Sequence, residues 1–391
     1  MSASAIFTPF NFVTTQPMSA DDFLPEGNPR STTALQKMLA QCEIWVKQGQ
    51  GTAAVWQQQS YCLARLKRYD EAIASYQKAL RLEPDDPKVW CNFGSTLAAA
   101  GHRREAVHAY DRALDLAPTY TNVWRRRAKV LYHCQEFGQV IESYDHALAL
   151  APTEARLWYG KGLATYQLGQ LEQAIEHFKT AIAHAPNELE AYLSLAYVLI
   201  DRGQKSQALA YLQPWITQGH EDARLLNCYA YLLQQRGQSD KALKYLEKAS
   251  QSGPETAEVW FHKGLIMTRL GRYAEAHDAF RVSLSLQADH ADSWLALGMI
   301  LRKLAAPEEA IAAFDKALAL SPSHPLAFFH QAACYAILGR HDWALEHLRR
   351  ALSLDAETYW PKAQKDPILR PLQLPSASRE QLLPKQGYRS S

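Results

Sequence analysis

The hydrophobic positions of this chain follow a helical spacing that stops and restarts at short intervals. Between Val89 and Leu97 the apolar side chains recur every three or four residues, and between Ala106 and Leu114 they do so again. Such spacing is typical of amphipathic helices that place one face against a core. We therefore predict two antiparallel helices joined by a short turn in this part of the chain.

The same pair of patterns returns every 34 residues. If Pro87 is position 1 of a unit, position 4 is Trp90, and steps of 34 residues from it reach large aromatic or apolar side chains: Trp56, Trp124, Trp158, Tyr192, Leu226, Trp260, Trp294 and Phe328. Nine units fit between Ala53 and Thr358 without an insertion or a deletion. A fixed period of this length predicts a stack of helical repeats in which each unit packs on its neighbours.

Other repeat positions have a mechanical role. Positions 8 and 20 carry small residues, which allow two helix backbones to approach closely. Position 15 is most often glycine, as in Gly101, which predicts a left-handed residue at the end of the first helix. Position 32 is most often proline, as in Pro118, and proline stops the second helix.

These residues resemble the tetratricopeptide repeat family, whose pattern of Trp, Leu, Gly, Tyr, Ala, Phe, Ala and Pro is nearly complete in Pro87–Tyr120. The basic-then-glycine step at positions 7 and 8, as in Lys161-Gly162, is similar to bacterial arrays of the family, including cyanobacterial ones. The resemblance implies an all-α fold, a right-handed superhelical solenoid of antiparallel helix pairs. It also implies a non-catalytic scaffold that binds a protein segment in its concave groove.

The repeats depart from the family pattern at a few places. Position 7 is basic in three units, at Arg127, Lys161 and Lys263, and we expect each aliphatic stem to lie between helices while its charge reaches solvent. In repeat 5, Pro214 falls within the second helix, so we expect that helix to be kinked or cut short around Gln213.

The pattern divides the chain into repeats, caps and tails. The tails are rich in Pro, Ser, Gln and Thr and are expected to be mobile. The predicted segments are an N-terminal tail over residues 1–29, an N-terminal capping helix within 30–52, nine repeats over 53–358, a C-terminal capping helix and turn over 359–372, and a C-terminal tail over 373–391.

Composition and motifs favour a binding protein over an enzyme. A formal net charge of +2 gives no bulk attraction to nucleic acid or membranes. The sequence has no long apolar run and no ordinary secretory signal, so we expect a cytoplasmic protein, with peripheral association at the cytoplasmic face of a membrane left open. The six cysteines are far apart and the histidines scattered, so we expect no metal and no cofactor. Nucleotide-binding, serine-hydrolase and zinc-protease motifs are missing, so we predict no enzymatic activity.

Charge is distributed unevenly over the predicted groove. In the family, positions 2, 5, 6, 9, 12 and 13 of each first helix face it. In repeats 1 to 4 these positions carry six basic residues and no carboxylate, whereas four basic and four acidic residues cancel in repeats 5 to 9. The six basic residues are Arg65, Lys88, Arg125, Arg126, Lys129 and Arg156. A like-charged concave surface attracts a ligand of opposite charge.

Amide and aromatic side chains lie at groove positions between and beyond these charges. The candidate binding residues of this kind are Asn92, Asn122, Tyr132, Tyr159, Tyr166, Tyr197, Asn227, Tyr231, Phe261 and Phe329. They predict hydrogen bonds to an extended peptide and apolar contact area. We therefore predict a protein partner that presents an acidic or amphipathic segment.

Two alternative functions use the same groove. One is a membrane-peripheral assembly factor for a multi-subunit complex, for example a photosynthetic one. The other is binding of single-stranded RNA, because a basic groove with tyrosines is also suited to nucleic acid. The 34-residue period with proline at position 32 is unlike that of the arrays that read one base per repeat, so nucleic acid is the less favoured partner.

Overall fold

The computed structural model describes residues 31–252 and 256–372 of the 391-residue chain. Over these ranges the chain forms 20 helices and no strand, which confirms the predicted all-α array of antiparallel helix pairs. The terminal segments expected to be mobile, residues 1–29 and 373–391, lie outside the described residues.

Nine helix pairs in the described part of the chain follow the 34-residue period. The first helices of the pairs are α2 (Ala53–Arg65), α4 (Pro87–Ala99), α6 (Thr121–His133), α8 (Ala155–Gln167), α10 (Leu189–Asp201), α12 (Ala223–Gln235), α14 (Ala257–Arg269), α16 (Ala291–Lys303) and α18 (Pro325–Ile337). The second helices are α3 (Tyr69–Leu82), α5 (Arg103–Leu116), α7 (Phe137–Leu150), α9 (Leu171–His184), α11 (Lys205–Thr217), α13 (Ser239–Gln251), α15 (Tyr273–Leu286), α17 (Pro307–Leu320) and α19 (His341–Leu354).

Helices α1 (Thr32–Lys47) and α20 (Ala356–Lys365) flank the pairs. Helix α1 packs on α2, where Leu35 and Leu39 share a buried cluster with Leu63. The chain divides into two compact units at Tyr211 and Leu212, inside α11. We call residues 31–211 the N-terminal unit, and residues 212–252 with 256–372 the C-terminal unit.

A ring at position 24 packed on a small residue at position 8 forms the centre of most repeats. A Cβ added to Gly94 would lie 2.9 Å from the ring of Tyr110, which is closer than real side chains approach. The same contact recurs with closest distances of 2.6–2.8 Å in three further repeats: Gly162 with Phe178, Gly264 with Phe280 and Gly298 with Phe314. Glycine is therefore required at these positions by close packing of the two helices.

The tryptophan at position 4 ties four of the repeats to the end of the preceding one. The indole Nε1 of Trp90 donates a hydrogen bond to the carbonyl oxygen of Pro84 at 2.6 Å. The same bond, six residues back, measures 2.8–2.9 Å at Trp124, Trp158 and Trp294. Because this bond satisfies an indole donor beside an apolar ring, it fixes the angle at which the chain enters each first helix.

The turn inside each pair has the same geometry throughout the described repeats. The backbone N–H of the residue after position 15 donates a hydrogen bond to the carbonyl oxygen five residues earlier, near the end of the first helix. An example is the bond from His102 N to Leu97 O at 2.9 Å. The glycines at position 15 have φ between 71° and 90°, as predicted. Lys67, Gln135 and Ala305 adopt the same left-handed conformation at φ of 59° to 62°, so the fold imposes it even on residues with a Cβ.

Position 7 pairs with position 25 of the preceding repeat, 16 residues earlier. Hydrogen bonds of this kind join Arg127 Nε to Asp111 Oδ1 (2.7 Å), Lys161 Nζ to Asp145 Oδ1 (2.5 Å), Gln331 Nε2 to Asp315 Oδ1 (2.6 Å), and the Tyr229 hydroxyl to the Gln213 amide oxygen. The side chains of Arg127 and Lys161 are only 13% and 16% exposed. The expectation that their charges reach solvent is therefore wrong, because a carboxylate meets each charge at the repeat junction.

The second helix of repeat 5 corrects another expectation. Helix α11 continues past Gln213 to Thr217 with Pro214 inside it, so it is not cut short there. Pro214 lies in the last turn, where its missing N–H removes one hydrogen bond near the helix end. The helix then closes as the others do, with the N–H of Gln218 bonded to the Pro214 carbonyl at 3.0 Å.

Helix α20 begins at Ala356, three residues before the predicted start of the C-terminal capping helix. The carboxylate of Asp355 accepts a hydrogen bond from the backbone N–H of Thr358 at 3.0 Å and so caps the helix at this earlier point. Pro361 is consequently inside the helix and not in its first turn.

We predict that Ala305→Gly stabilises the protein by about 0.5–1 kcal/mol, because glycine adopts the left-handed conformation without a Cβ penalty. Urea unfolding followed by helix circular dichroism measures the change. Gly101→Ala, at the equivalent position, should have the opposite sign, and equal stability of Ala305→Gly and the parent chain would contradict the prediction.

We predict that Asp111→Ala destabilises the protein by about 1–2 kcal/mol, because it leaves the guanidinium of Arg127 partly buried without its carboxylate. Arg127→Leu should change stability by less than about 1 kcal/mol, since leucine fills position 7 in two other repeats and is easily buried there. Differential scanning calorimetry of both variants tests the pair. If Arg127→Leu lost more stability than Asp111→Ala, the prediction would be wrong, and the ion pair itself would be what stabilises the junction.

Candidate functional site

The predicted groove positions of neighbouring first helices lie side by side in the N-terminal unit. Helices α2 and α4, α4 and α6, and α8 and α10 contact each other directly. Bonds between groove positions also join successive repeats, as from Arg126 NH1 to Ser95 Oγ at 2.8 Å and from Ser194 Oγ to Tyr159 Oη at 3.3 Å. We call this surface, formed by positions 2, 5, 6, 9, 12 and 13 of the first helices, the first-helix face.

The six predicted basic residues are all accessible on this face. Lys88 and Arg156 are exposed, and the other four, Arg65, Arg125, Arg126 and Lys129, are half-buried. Arg125 bonds to the amide oxygen of Asn122 at 3.2 Å, a neutral partner that leaves the charge uncompensated. This differs from the basic residues at position 7 of the same helices, which face carboxylates at the repeat junctions.

Arg126 has a structural role beside its place on the face. It donates to Ser95, and the Ser95 hydroxyl lies 3.1 Å from the hydroxyl of Tyr110. Ser95 and Tyr110 are completely buried. Arg126 therefore covers the core of repeat 2, and its replacement would disturb packing as well as charge.

The predicted tyrosines of the N-terminal unit are half-buried and interact with one another. Burial raises the pKa of Tyr132, while a hydrogen bond with Gln167 lowers it. The pKa of Tyr166 is raised by burial and by its hydrogen bond to the Asp201 carboxylate. Tyr159 lies beside both Tyr132 and Tyr144, a second-helix residue that the sequence analysis did not single out. These phenols supply neutral donors close to the basic residues.

The predicted groove residues of the C-terminal unit are buried. Their exposed fractions are 5% for Asn227, 5% for Tyr231, 2% for Phe261 and 5% for Phe329. The Asn227 amide oxygen is hydrogen-bonded to Nδ1 of His262 at 2.7 Å, and Phe329 packs on Tyr359 of α20 with ring centroids 5.3 Å apart. A partner could reach little of these side chains, so we leave them out of the candidate surface.

Three of the four basic residues at groove positions of the C-terminal unit are also engaged, and the fourth, Lys303, is exposed. Arg224 pairs with Asp222 at 2.9 Å, and Arg269 donates to the carbonyl oxygen of Gln234 at 2.8 Å. Arg302 lies 4.0 Å from Asp366 at the end of α20. The positive surface that the sequence predicts thus belongs to the N-terminal unit.

The described residues present no group of three or more His, Cys, Asp or Glu side chains placed to hold a metal ion. None of the six cysteines forms a disulfide bond, and five of them are buried, as expected of small apolar side chains in a helical core. Among the helices of residues 31–252 and 256–372, none is both long and apolar enough to cross a membrane.

Sequence profiles of known families match most of the repeat region. Profiles described as tetratricopeptide repeats match residues 63–101, 87–120 and 121–278. A profile described as the middle TPR-like domain of cilia and flagella-associated protein 70 matches residues 226–342. No curated protein matches the chain in sequence.

Solved structures share the fold at low sequence identity. The crystal structure of the APC/C hetero-tetramer Cut9-Hcn1 matches with a TM-score of 0.57 and 14% identity, covering 82% of this chain and 76% of that one. A tetratricopeptide repeat protein from Parabacteroides merdae has a TM-score of 0.49 and 19% identity, covering 69% of this chain and 99% of its own. PilF of Pseudomonas aeruginosa has a TM-score of 0.44 and 19% identity, covering 53% and 94%. The Cut9-Hcn1 match establishes similarity of fold and nothing about partners.

His330, at groove position 6 of repeat 9, provides a test of burial in the C-terminal unit. It is 8% exposed and stacks on Phe314 at 5.8 Å. Burial, together with the nearby charges of Arg302, Lys362 and Lys303, lowers its pKa to about 3. The folded state therefore binds its proton less readily than the unfolded state, and stability present above pH 6.5 is lost as the pH falls toward 3.

We predict that the free energy of unfolding of the parent chain, relative to that of His330→Gln, falls by about 1–2 kcal/mol between pH 7.5 and pH 5. The reason is that glutamine does not titrate, whereas protonation of His330 in the unfolded state opposes folding. Urea unfolding at the two pH values measures it. A difference in stability that stays constant over this range would contradict the burial of a neutral imidazole.

Proposed function

We propose that this chain, which belongs to the tetratricopeptide repeat family, is a non-catalytic scaffold whose first-helix face in the N-terminal unit binds an acidic segment of a protein partner. The observation that carries the proposal is the contrast between two sets of basic residues on the same helices. Those at position 7 face carboxylates, whereas those at groove positions have accessible charge and no ion pair to Arg65, Lys88, Arg125 or Arg156 occurs in the described residues.

The physical argument concerns the mutual repulsion of like charges. Six positive groups on one face repel one another, so the arrangement weakens the free protein slightly and favours any ligand that supplies negative charge. Charge complementarity chiefly accelerates association and selects among partners. The neighbouring phenols and amides of Tyr132, Tyr159, Asn92 and Asn122 add donors and acceptors for a peptide backbone, which gives the contact a direction along the face.

We predict that peptides selected by the full chain from a random dodecamer phage library at 0.1 M salt are enriched in Asp and Glu. The combined variant Arg125→Ala, Lys129→Ala and Arg156→Ala should bind the selected peptides at least roughly tenfold more weakly at 0.1 M salt. The loss should be smaller at 1 M salt, where charges are screened over about 3 Å. Arg126 is left intact because it covers the core.

A matched control removes the same charge elsewhere in the N-terminal unit. Arg81, Arg103 and Arg104 are exposed residues of the second helices α3 and α5, and their combined replacement by Ala also lowers the net charge by three. The control should bind nearly as the parent does. Equal weakening of both triple variants, or selected peptides without acidic residues, would overturn the proposal, and preferential binding of a labelled oligouridylate would favour the RNA alternative.

A further inference from the structure

Gly160 interrupts the first-helix face between repeats 3 and 4. It occupies position 6 of α8, where the other repeats all carry a side chain. A Cβ added to it would lie 2.3 Å from both Cζ and Oη of Tyr144. The phenol tip of Tyr144, a second-helix residue of α7, therefore occupies the space where a position-6 side chain would stand.

Tyr144 differs in this respect from the equivalent ring of the preceding repeat. Tyr110 is fully buried, its hydroxyl is 3.1 Å from Ser95, and Arg126 closes the surface above it. Tyr144 is 9% exposed. Its hydroxyl oxygen is not among the fully buried side-chain atoms of the described residues that lack a partner, so it remains open to solvent and to a ligand.

The sequence provides a reason for the displaced ring. Beneath Tyr110 and Phe178, position 8 of the same repeat is glycine, and the ring packs directly on it. In repeat 3 that position is Ala128, whose methyl group takes up this space. The side chain lost at Gly160 and the methyl group gained at Ala128 together direct the Tyr144 hydroxyl toward the first-helix face.

Groups of suitable chemistry surround this hydroxyl. Burial raises the pKa of Tyr144 to about 12, the positive charge of Arg125 opposes the rise, and Tyr132 and Tyr159 add to it, so all three side chains are near the phenol. Arg125, Tyr132 and Tyr159 are half-buried and belong to the candidate surface. Arg125 and Tyr132 belong to α6, and Tyr159 directly precedes Gly160 in α8.

We propose that Gly160 opens a subsite in which Arg125 and the hydroxyl of Tyr144, flanked by Tyr132 and Tyr159, hold one side-chain carboxylate of the bound acidic segment. This inference rests on the proposed function and names the anchor point within it. A carboxylate fits because it offers two acceptor oxygens, one for a guanidinium and one for a phenolic donor. Because the Tyr144 hydroxyl stands at the place of a single side chain, it offers one donor and so selects one acidic residue and not a run of charge.

The test uses a small probe, so that it does not depend on a partner. The full chain, with 13C-labelled tyrosine rings, is titrated with blocked glutamate (N-acetyl-glutamyl-methylamide) and, as an uncharged match, with blocked glutamine. Ring signals of Tyr132, Tyr144 and Tyr159 should shift with glutamate and not with glutamine. Tyr144→Phe should weaken glutamate binding roughly tenfold, and it should fold normally because phenylalanine fills this repeat position at Phe178, Phe280 and Phe314.

A second variant tests the gap itself. Gly160→Ala with Tyr144→Phe reproduces the pair Phe280 and Ala296 of the C-terminal unit, so a folded form has precedent in this chain. This double variant should show no glutamate-dependent shift at Tyr132 or Tyr159. Shifts that persist in it, or tyrosine signals that respond equally to glutamine, would overturn the subsite.

The outcomes separate the subsite from the proposed function. Glutamate-dependent shifts in a chain that selects no acidic peptides would retain the subsite and reject the acidic partner. Acidic peptides that bind equally well to the parent and to Tyr144→Phe would retain the partner and reject the subsite. Tighter binding of blocked phosphoserine than of blocked glutamate would reject the carboxylate as the natural group.

Discussion

The close approach of two helices at positions 8 and 24 is the contact on which each repeat depends. At Gly94, Gly264 and Gly298 the ring of the second helix lies nearer to the first helix than any Cβ would allow. Such packing leaves little freedom in the crossing of the pair, because overfilling a close-packed contact is strongly unfavourable. Once that contact and the left-handed turn residue are fixed, successive pairs within a unit present their first helices to the same face. A surface continuous over several repeats then follows from local rules.

This regularity leaves the first-helix face free to vary. Residues at positions 8, 15 and 24 are constrained by packing or backbone conformation, whereas position 2 is exposed in every repeat of the N-terminal unit and positions 5 and 6 range from exposed to buried. Charge can therefore accumulate there at modest cost to stability. The junction pairs at positions 7 and 25 show the complementary case, since a basic residue placed between helices is met by Asp111 or Asp145. In this chain, charges that are paired at the repeat junctions hold neighbouring helices together, whereas accessible charges form the candidate binding surface.

The repeat pattern predicted the all-α architecture, the helix pairs and the left-handed turns, because each depends on residues that recur every 34 positions. It did not predict the partner of Arg127, although Asp111 stands 16 residues earlier and the same spacing joins Lys161 to Asp145. The 16-residue spacing was visible in the sequence, but it joins residues of two neighbouring repeats and not of one. Burial of Phe329 could not be read from its own position, because Tyr359 covers it from a helix outside the periodic pattern. Pro214 does not cut α11 short, because it lies in the last turn, where only one hydrogen bond is lost.

Departures from a repeat carry more information about function when they compensate each other. Ala128 alone would crowd the ring of its repeat, and Gly160 alone would leave a gap, but together they move one phenol from the core toward the surface. Neither residue alone indicates a binding site, because Ala128 is a common helix residue and Gly160 belongs to a Gly-Lys-Gly triplet inside a helix. A compensated pair that keeps the helices packed while exposing a polar group implies that the fold has been adjusted around that group. By this reasoning, the proposed subsite between α6 and α8 would supply selectivity, and the other basic positions would contribute attraction without a fixed geometry.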